Sequence, residues 1–193
     1  MKLKKFLEEH NIEAVLISSK YSLRYFTGFT GTTGIALAFA EKRFFFTDFR
    51  YVTQAKKEVE PNGFTVVKVE RGAVDALAEY IKNSGIKKLG IEDKYVTLAE
   101  YVVYKEKFEE IGFVTLGEAL DKLRMIKTEE EIGYIKKAVE IGDKVFEYIL
   151  DKVKEGAVEK DLAAEMEFQM KKLGGEGPSF ETIISSNYRS ALP

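Results

Sequence analysis

Apolar and polar residues switch between two periods along this chain, and the switch divides it in two. Up to about residue 122, short apolar runs alternate with helical spacings. Ala14-Val15-Leu16-Ile17 is a continuous four-residue apolar run, the pattern of a buried strand. Leu23 to Phe26 reads as another strand, ending at Gly28. Gly34 to Ala40 and Arg43 to Thr47 read as adjacent strands joined by a polar turn at Glu41-Lys42. Phe49 to Val59 turns helical and stops before Pro61. Phe64 to Val69 alternates as a half-buried strand. Ala73 to Asn83 places Leu77, Tyr80 and Ile81 at helical spacing and ends before Gly85. Lys88 to Ile91 and Phe113 to Leu116 are further short strands. Between them Thr97, with Glu100 three residues on, forms a capping box that opens a helix.

The second part loses the strands. Thr128 and Glu131 form another capping box. The helix it opens carries Ile132, Ile135, Val139, Phe146, Ile149 and Val153 as one apolar stripe and is expected to run to Gly156. That is about 28 residues, or ~42 Å. A second helix from Val158 to Leu173 is expected to bury Leu162, Met166, Met170 and Leu173, and to stop at Gly174-Gly175. Only one strand-like run follows, Thr182 to Ser185. The predicted organisation is an α/β domain over 1–122 and a second unit over 123–193, with the boundary at Lys122-Leu123-Arg124-Met125-Ile126-Lys127.

Composition narrows the function classes. The 193 residues are 45% hydrophobic and 12% aromatic, enough for a sizeable core. A formal net charge of -2 gives no electrostatic reason to expect nucleic acid or an anionic membrane as partner. No apolar run approaches the roughly 20 residues that span a bilayer. The first residues form an amphipathic pattern without the apolar core of a signal peptide, so a cytoplasmic home is expected. There is no Cys, hence no disulfide and no thiolate metal site. Charged residues reach 32% while Cys and Trp are absent, a lean toward thermophile composition.

Three segments carry a family resemblance. The first is Tyr25-Phe26-Thr27-Gly28-Phe29-Thr30-Gly31, followed by Thr47-Asp48-Phe49-Arg50-Tyr51. The second is Leu123-Arg124-Met125-Ile126-Lys127-Thr128-Glu129-Glu130-Glu131-Ile132. The third is the Gly-rich turn with Pro178-Ser179-Phe180, then Arg189-Ser190-Ala191-Leu192-Pro193. Together they resemble the Xaa-Pro peptidases, the aminopeptidase P and prolidase group. The resemblance implies a creatinase-type N-terminal domain with a mixed sheet flanked by helices. It also implies the first helices and first strand of an α+β pita-bread metallopeptidase domain.

In that family the residue after the last Pro of the third motif is a catalytic His, and the metal ligands lie further on. The resemblance therefore implies no catalytic and no metal-ligating residue within 1–193, and two divalent ions (Mn, Co or Zn) in a longer parent enzyme. It implies peptides with proline at the second position as substrates and a homodimer as the assembly. Two other readings stand beside it: a non-catalytic creatinase-type assembly or peptide-binding module, and a creatinase-like amidinohydrolase.

Individual residues have plainer readings too. Gly28 and Gly31 suit tight turns. Asp48 reads as the N-cap of the Phe49 helix. Arg50 and Tyr51 are either a surface cation and a partly buried ring or, as the family implies, residues facing a neighbouring subunit. Phe180 is either a substrate-pocket wall or a core ring. His10, the single His, is expected to meet the end of the first helix. Glu129, Glu130 and Glu131 suit a helix start, and Asp143, Asp151 and Asp161 match no ligand motif.

Overall fold

In the computed structural model of the chain, the structure describes residues 3–70 and 72–191. The chain divides into two compact units, Met1–Ile126 and Lys127–Pro193.

The first unit is built on a six-stranded mixed sheet. Its strands are β1 (Ala14–Ile17), β2 (Ile35–Phe39), β3 (Arg43–Asp48), β4 (Thr65–Val69), β5 (Lys88–Ile91) and β6 (Gly112–Thr115). They lie in the order β4-β3-β2-β1-β5-β6. β2 pairs antiparallel with both β1 and β3, while β1/β5, β5/β6 and β3/β4 are parallel. Five strands thus run one way and β2 runs against them. Six helices complete the unit: α1 (Leu3–Glu9), α2 (Lys20–Thr27), α3 (Val52–Val59), α4 (Ala73–Ser84), α5 (Leu98–Lys107) and α6 (Ala119–Leu123).

Successive side chains of a strand point to opposite faces, and both faces here are apolar. Val15, Ile17, Ala36, Ala38 and Phe45 face a cluster closed by Leu3, Phe6 and Leu7 of α1, Leu23 of α2, Ala55 and Val59 of α3, and Leu120 of α6. Ala14, Leu16, Ile35, Leu37, Phe46, Leu89 and Ile91 face a second cluster closed by Leu77 and Ile81 of α4 and Tyr104 of α5. The result is a helix–sheet–helix sandwich with two cores. Burial, helped by the Glu100 charge, raises the Tyr104 phenol to about 12.

Two elements depart from the sequence reading. Leu23 to Phe26 is helical, not a strand. Ser19 caps α2 by accepting the Ser22 N–H, and Gly28 closes it at φ 75°, so eight residues are enclosed between two helix stops. The helix after β3 begins at Val52 rather than Phe49, and Asp48 does not cap it. Its N-cap is Tyr51, which makes no side-chain cap bond, and the Asp48 carboxylate is occupied by Arg50.

The second unit holds α7 (Glu129–Leu150) and α8 (Glu159–Lys172). The Thr128–Glu131 capping box opens α7 as the sequence implies. The helix stops at Leu150, not near Gly156. Lys152 N–H and Val153 N–H bond back three residues, to Ile149 and Leu150, which tightens the last turn. Among the expected stripe residues only Ile149 is buried, joined by Val145; Ile135, Val139, Phe146 and Val153 are exposed. No residue of α8 is fully buried; Leu162, Met166 and Met170 are partly buried and Leu173 is exposed. Thr182 to Ser185 forms no strand, because no described strand of its own unit offers it a ladder. Phe146, 59% exposed, is therefore expected to lose less than ~1 kcal/mol on truncation to Ala, well under the roughly 2–5 kcal/mol of a core position. Denaturant unfolding of Phe146→Ala checks this; a loss above ~2 kcal/mol would show the ring to be covered.

Candidate functional site

Parallel sheets collect their loops, and usually their chemistry, at the carboxyl ends of the strands. Here that edge gathers Ser18 and Ser19 after β1, Asp48 to Tyr51 after β3, and Glu92 after β5. The 28–34 loop that leads into the antiparallel β2 arrives at the same edge.

Glu92 is the buried charge of this edge, only 4% exposed. One carboxylate oxygen accepts the backbone N–H groups of Ser18 at 2.7 Å and Ser19 at 3.0 Å. The other accepts the hydroxyls of Ser19 at 2.9 Å and Ser22 at 2.5 Å. The carboxylate lies at the N-terminus of α2, where the helix dipole favours a negative charge. It ties the end of β5 to the start of α2. Sequence reasoning passed over this residue: a single Glu after an apolar run looks like solvent-facing punctuation, and its serine partners lie some 70 positions away.

The second feature is the turn after β3. Asp48 accepts the Arg50 backbone N–H at 2.9 Å and holds the guanidinium through Nε at 3.1 Å and Nη2 at 2.7 Å. The Arg50 side-chain bond is the main reason the Asp48 carboxyl lies below its usual range, and Asp48 in turn raises Arg50. Arg50 also lies over the Tyr51 ring at 5.5 Å. Tyr51 is half-buried against Phe29, and its hydroxyl shares a 2.6 Å bond with Thr32. Gly31 lies under these rings: a Cβ there would come 2.4 Å from Phe29 and 2.9 Å from Tyr51. Its role is close approach to two rings, while Gly28 supplies the left-handed turn. Glu58, on α3, holds the loop from below, accepting the Thr30 N–H and hydroxyl at 2.9 Å each.

In the second unit Phe180 is 75% exposed. The segment after it is fastened to α8. Thr182 donates to Glu167 at 2.8 Å, and Glu159 accepts the Ser186 N–H and hydroxyl at 2.7 Å each. Arg189 reaches the same carboxylate at 3.3 Å. The Ser186 hydroxyl is the chief cause that holds Glu159 below the usual carboxylate range.

His10 sits at the end of α1, its Nδ1 2.9 Å from the Phe6 carbonyl and its ring against Phe6. Among the described residues no group of three or more His, Cys, Asp or Glu side chains is placed to hold a metal ion, so they do not fit a metallopeptidase centre. No described helix is long and apolar enough to cross a membrane.

A mixed six-stranded sheet between helices, with its loops gathered at one edge and a helical unit following, defines a two-unit α/β protein. The chain belongs to the creatinase/prolidase N-terminal domain family, whose model matches residues 1–126. Residues 133–193 match metallopeptidase family M24. Across its whole length the chain is 37% identical to the Xaa-Pro dipeptidase of Pyrococcus furiosus, covering 53% of that protein. The Xaa-Pro dipeptidase structure from Bacillus anthracis superposes with a TM-score of 0.93 at 38% identity, over 100% of this chain and 53% of that one. The N-terminal domain of a cytoplasmic peptidase from Mycobacterium tuberculosis is 31% identical, with a TM-score of 0.58, over 64% of this chain and 95% of that one. The chain spans about half the length of the curated relatives it matches. The family expected from the three motifs is therefore the family found.

Proposed function

We propose that residues 1–193 are the N-terminal part of an Xaa-Pro metallopeptidase, an aminopeptidase P or prolidase, which hydrolyses the peptide bond before proline. The observation that carries the reading is the order of the two family matches on one chain, the creatinase/prolidase N-terminal domain followed by M24. Its substrates are peptides with proline at the second position. Phe180, exposed after the Gly177-Pro178-Ser179 turn, supplies an apolar wall for the prolyl ring or its neighbour. Two divalent ions, Mn, Co or Zn, supply the activated water of the parent enzyme, held by residues other than those described here. The parent works in the cytoplasm as a homodimer, with Arg50 and Tyr51 turned toward the neighbouring subunit.

The test is an Ala-Pro or Gly-Pro hydrolysis assay with Mn²⁺ or Co²⁺. It is run on the 193-residue polypeptide alone and after mixing with a polypeptide that carries the remainder of an M24 domain. The polypeptide alone is expected to show no metal-dependent turnover, since its described residues offer no ligand cluster to lower the pKa of a water. The mixture is expected to gain turnover. Metal-dependent hydrolysis by the purified 193-residue polypeptide would place the active site elsewhere and end this reading.

A further inference from the structure

We infer that Asn62 is a hydrolytic modification site held dormant by the fold: its side-chain amide fastens two helix ends, and the same fastening slows the deamidation that would release them.

Asn62 ends a 3-10 helical turn over Glu60–Asn62 and precedes Gly63, whereas Asn11, Asn83 and Asn187 precede Ile12, Ser84 and Tyr188. An asparagine loses its amide when the backbone nitrogen of the next residue attacks the side-chain carbonyl carbon. A new N–C bond closes a cyclic imide. The amide nitrogen leaves as ammonia, taking the proton given up by the backbone nitrogen. Water then opens the imide to aspartate or isoaspartate. Glycine hinders this attack least, because it has no side chain. The sequence thus makes Asn62-Gly63 the reactive pair of the chain.

The fold restrains both partners in that reaction. The Gly63 N–H donates to the Glu60 carbonyl at 2.9 Å, and Gly63 is held at φ 80°. The Asn62 Nδ2 donates to the Thr27 carbonyl at 3.0 Å and to the Glu58 carbonyl at 2.9 Å. Thr27 is the last residue of α2, and Glu58 lies in the last turn of α3. Backbone oxygens at such ends run out of intrahelical donors. One NH₂ group, with its two donors, therefore closes both helix ends. Gly28 leaves room for it: a Cβ there would stand 2.7 Å from Nδ2.

Deamidation inverts this contact. A carboxylate only accepts, so both carbonyls lose their donor. They also face a negative group at two helix C-termini, where the dipole disfavours one. The effect reaches the candidate site through Glu58, whose carboxylate holds the Thr30 N–H and hydroxyl. A displaced end of α3 loosens the 28–34 loop at the carboxyl edge of the sheet.

The test incubates the 193-residue chain at mildly alkaline pH, folded and in urea, and follows each Asn by peptide mass spectrometry. In urea, Asn62 is expected to convert ahead of Asn11, Asn83 and Asn187. In the folded chain it should convert at least about tenfold more slowly, since reaction waits for local opening. Gly28→Ala, which forces the amide off its carbonyls, should raise the folded-state rate toward that in urea. Asn62→Asp should melt below the unaltered chain, and below Asn62→Ala, which loses the donors without adding the charge. Another Asn converting first in urea, or equal rates folded and in urea, would overturn the inference; this comparison needs no variant. A folded Gly28→Ala chain that converts no faster would show that the contact with the helix ends is not the restraint. An Asn62→Asp chain no less stable than Asn62→Ala would end the claim that the product is at odds with those ends.

Discussion

Replacing Glu92 by alanine is expected to destabilise the first unit by about 3–5 kcal/mol. The carboxylate is buried and accepts four hydrogen bonds, from Ser18 N, Ser19 N and the hydroxyls of Ser19 and Ser22. Truncation leaves backbone donors in a site with no other acceptor of that capacity, and each buried donor left unpaired costs ~1–3 kcal/mol. The loss is less than the sum, because the Ser19 hydroxyl still accepts the Ser22 N–H and keeps part of the α2 cap. Glu92→Gln should fall between, since its amide oxygen accepts while its NH₂ group faces donors. Denaturant unfolding gives the magnitude, and native-state hydrogen exchange over residues 14–27 gives the location. A loss below ~1 kcal/mol, or unchanged exchange at the start of α2, would mean that Glu92 is not what joins β5 to that helix.

Phe45→Ala is expected to cost about 3–5 kcal/mol, as for other fully buried Phe truncations. The ring is completely buried in the cluster under α1, α2 and α3, and lies 4.7 Å from the ring of Phe29. It also lies against Gly34, where an added Cβ would stand 2.2 Å from the Phe45 Cζ. The phenyl therefore occupies the volume that any side chain at 34 would need. Gly34→Ala alone should be destabilising by ~1–3 kcal/mol through overpacking. In the Phe45→Ala background the same change should be nearly neutral, because the added methyl enters the cavity left by the ring. A double-mutant cycle measures this coupling directly. Additive losses would show that the two positions do not compete for one space.

Much of the first unit was legible because its signals are local. Ala14–Ile17 and Lys88–Ile91 are strands with the limits read from their apolar runs. The Thr97–Glu100 and Thr128–Glu131 capping boxes both form, and Gly85 ends α4 in the left-handed conformation its position suggested. Each depends on residues three or four positions apart, so the chain needs no distant contact to show it. α2 was misread because Leu-Arg-Tyr-Phe has strand-like composition, while its helical state is enforced by the Ser19 cap and by Glu92 behind it. Asp48 was misread for a related reason. Its type suits an N-cap, but Arg50 two residues on competes for the same oxygens and wins with three bonds.

The candidate site divides in the same way. Arg50, Tyr51 and Phe180 are singled out by motif resemblance, which marks positions but says nothing of what the side chains touch. That Arg50 is tied to Asp48, that Tyr51 is wedged between Phe29 and Thr32, and that Phe49 points outward are facts of packing. The helical stripes of α7 and α8 mark the limit of pattern reading. Periodicity shows that Ile135, Val139 and Phe146 share a face, but not whether anything covers it, and in this structure they are exposed.

The sequence by itself determined the family, the α/β character of the first unit, and most of its strands and helix ends. These follow from short-range periodicity, capping chemistry and motif spacing, all of which act within a few residues. Only the tertiary structure decided the strand order β4-β3-β2-β1-β5-β6, the direction of β2 and the burial of Glu92 beneath α2. It also decided the closeness of Gly34 to Phe45 and the exposure of the α7 stripe. Each of these joins residues far apart in the chain, or depends on whether a partner surface is present. Local free energies of ~1 kcal/mol select the elements, whereas their arrangement is selected by the burial of two whole cores, which no single segment of the chain contains.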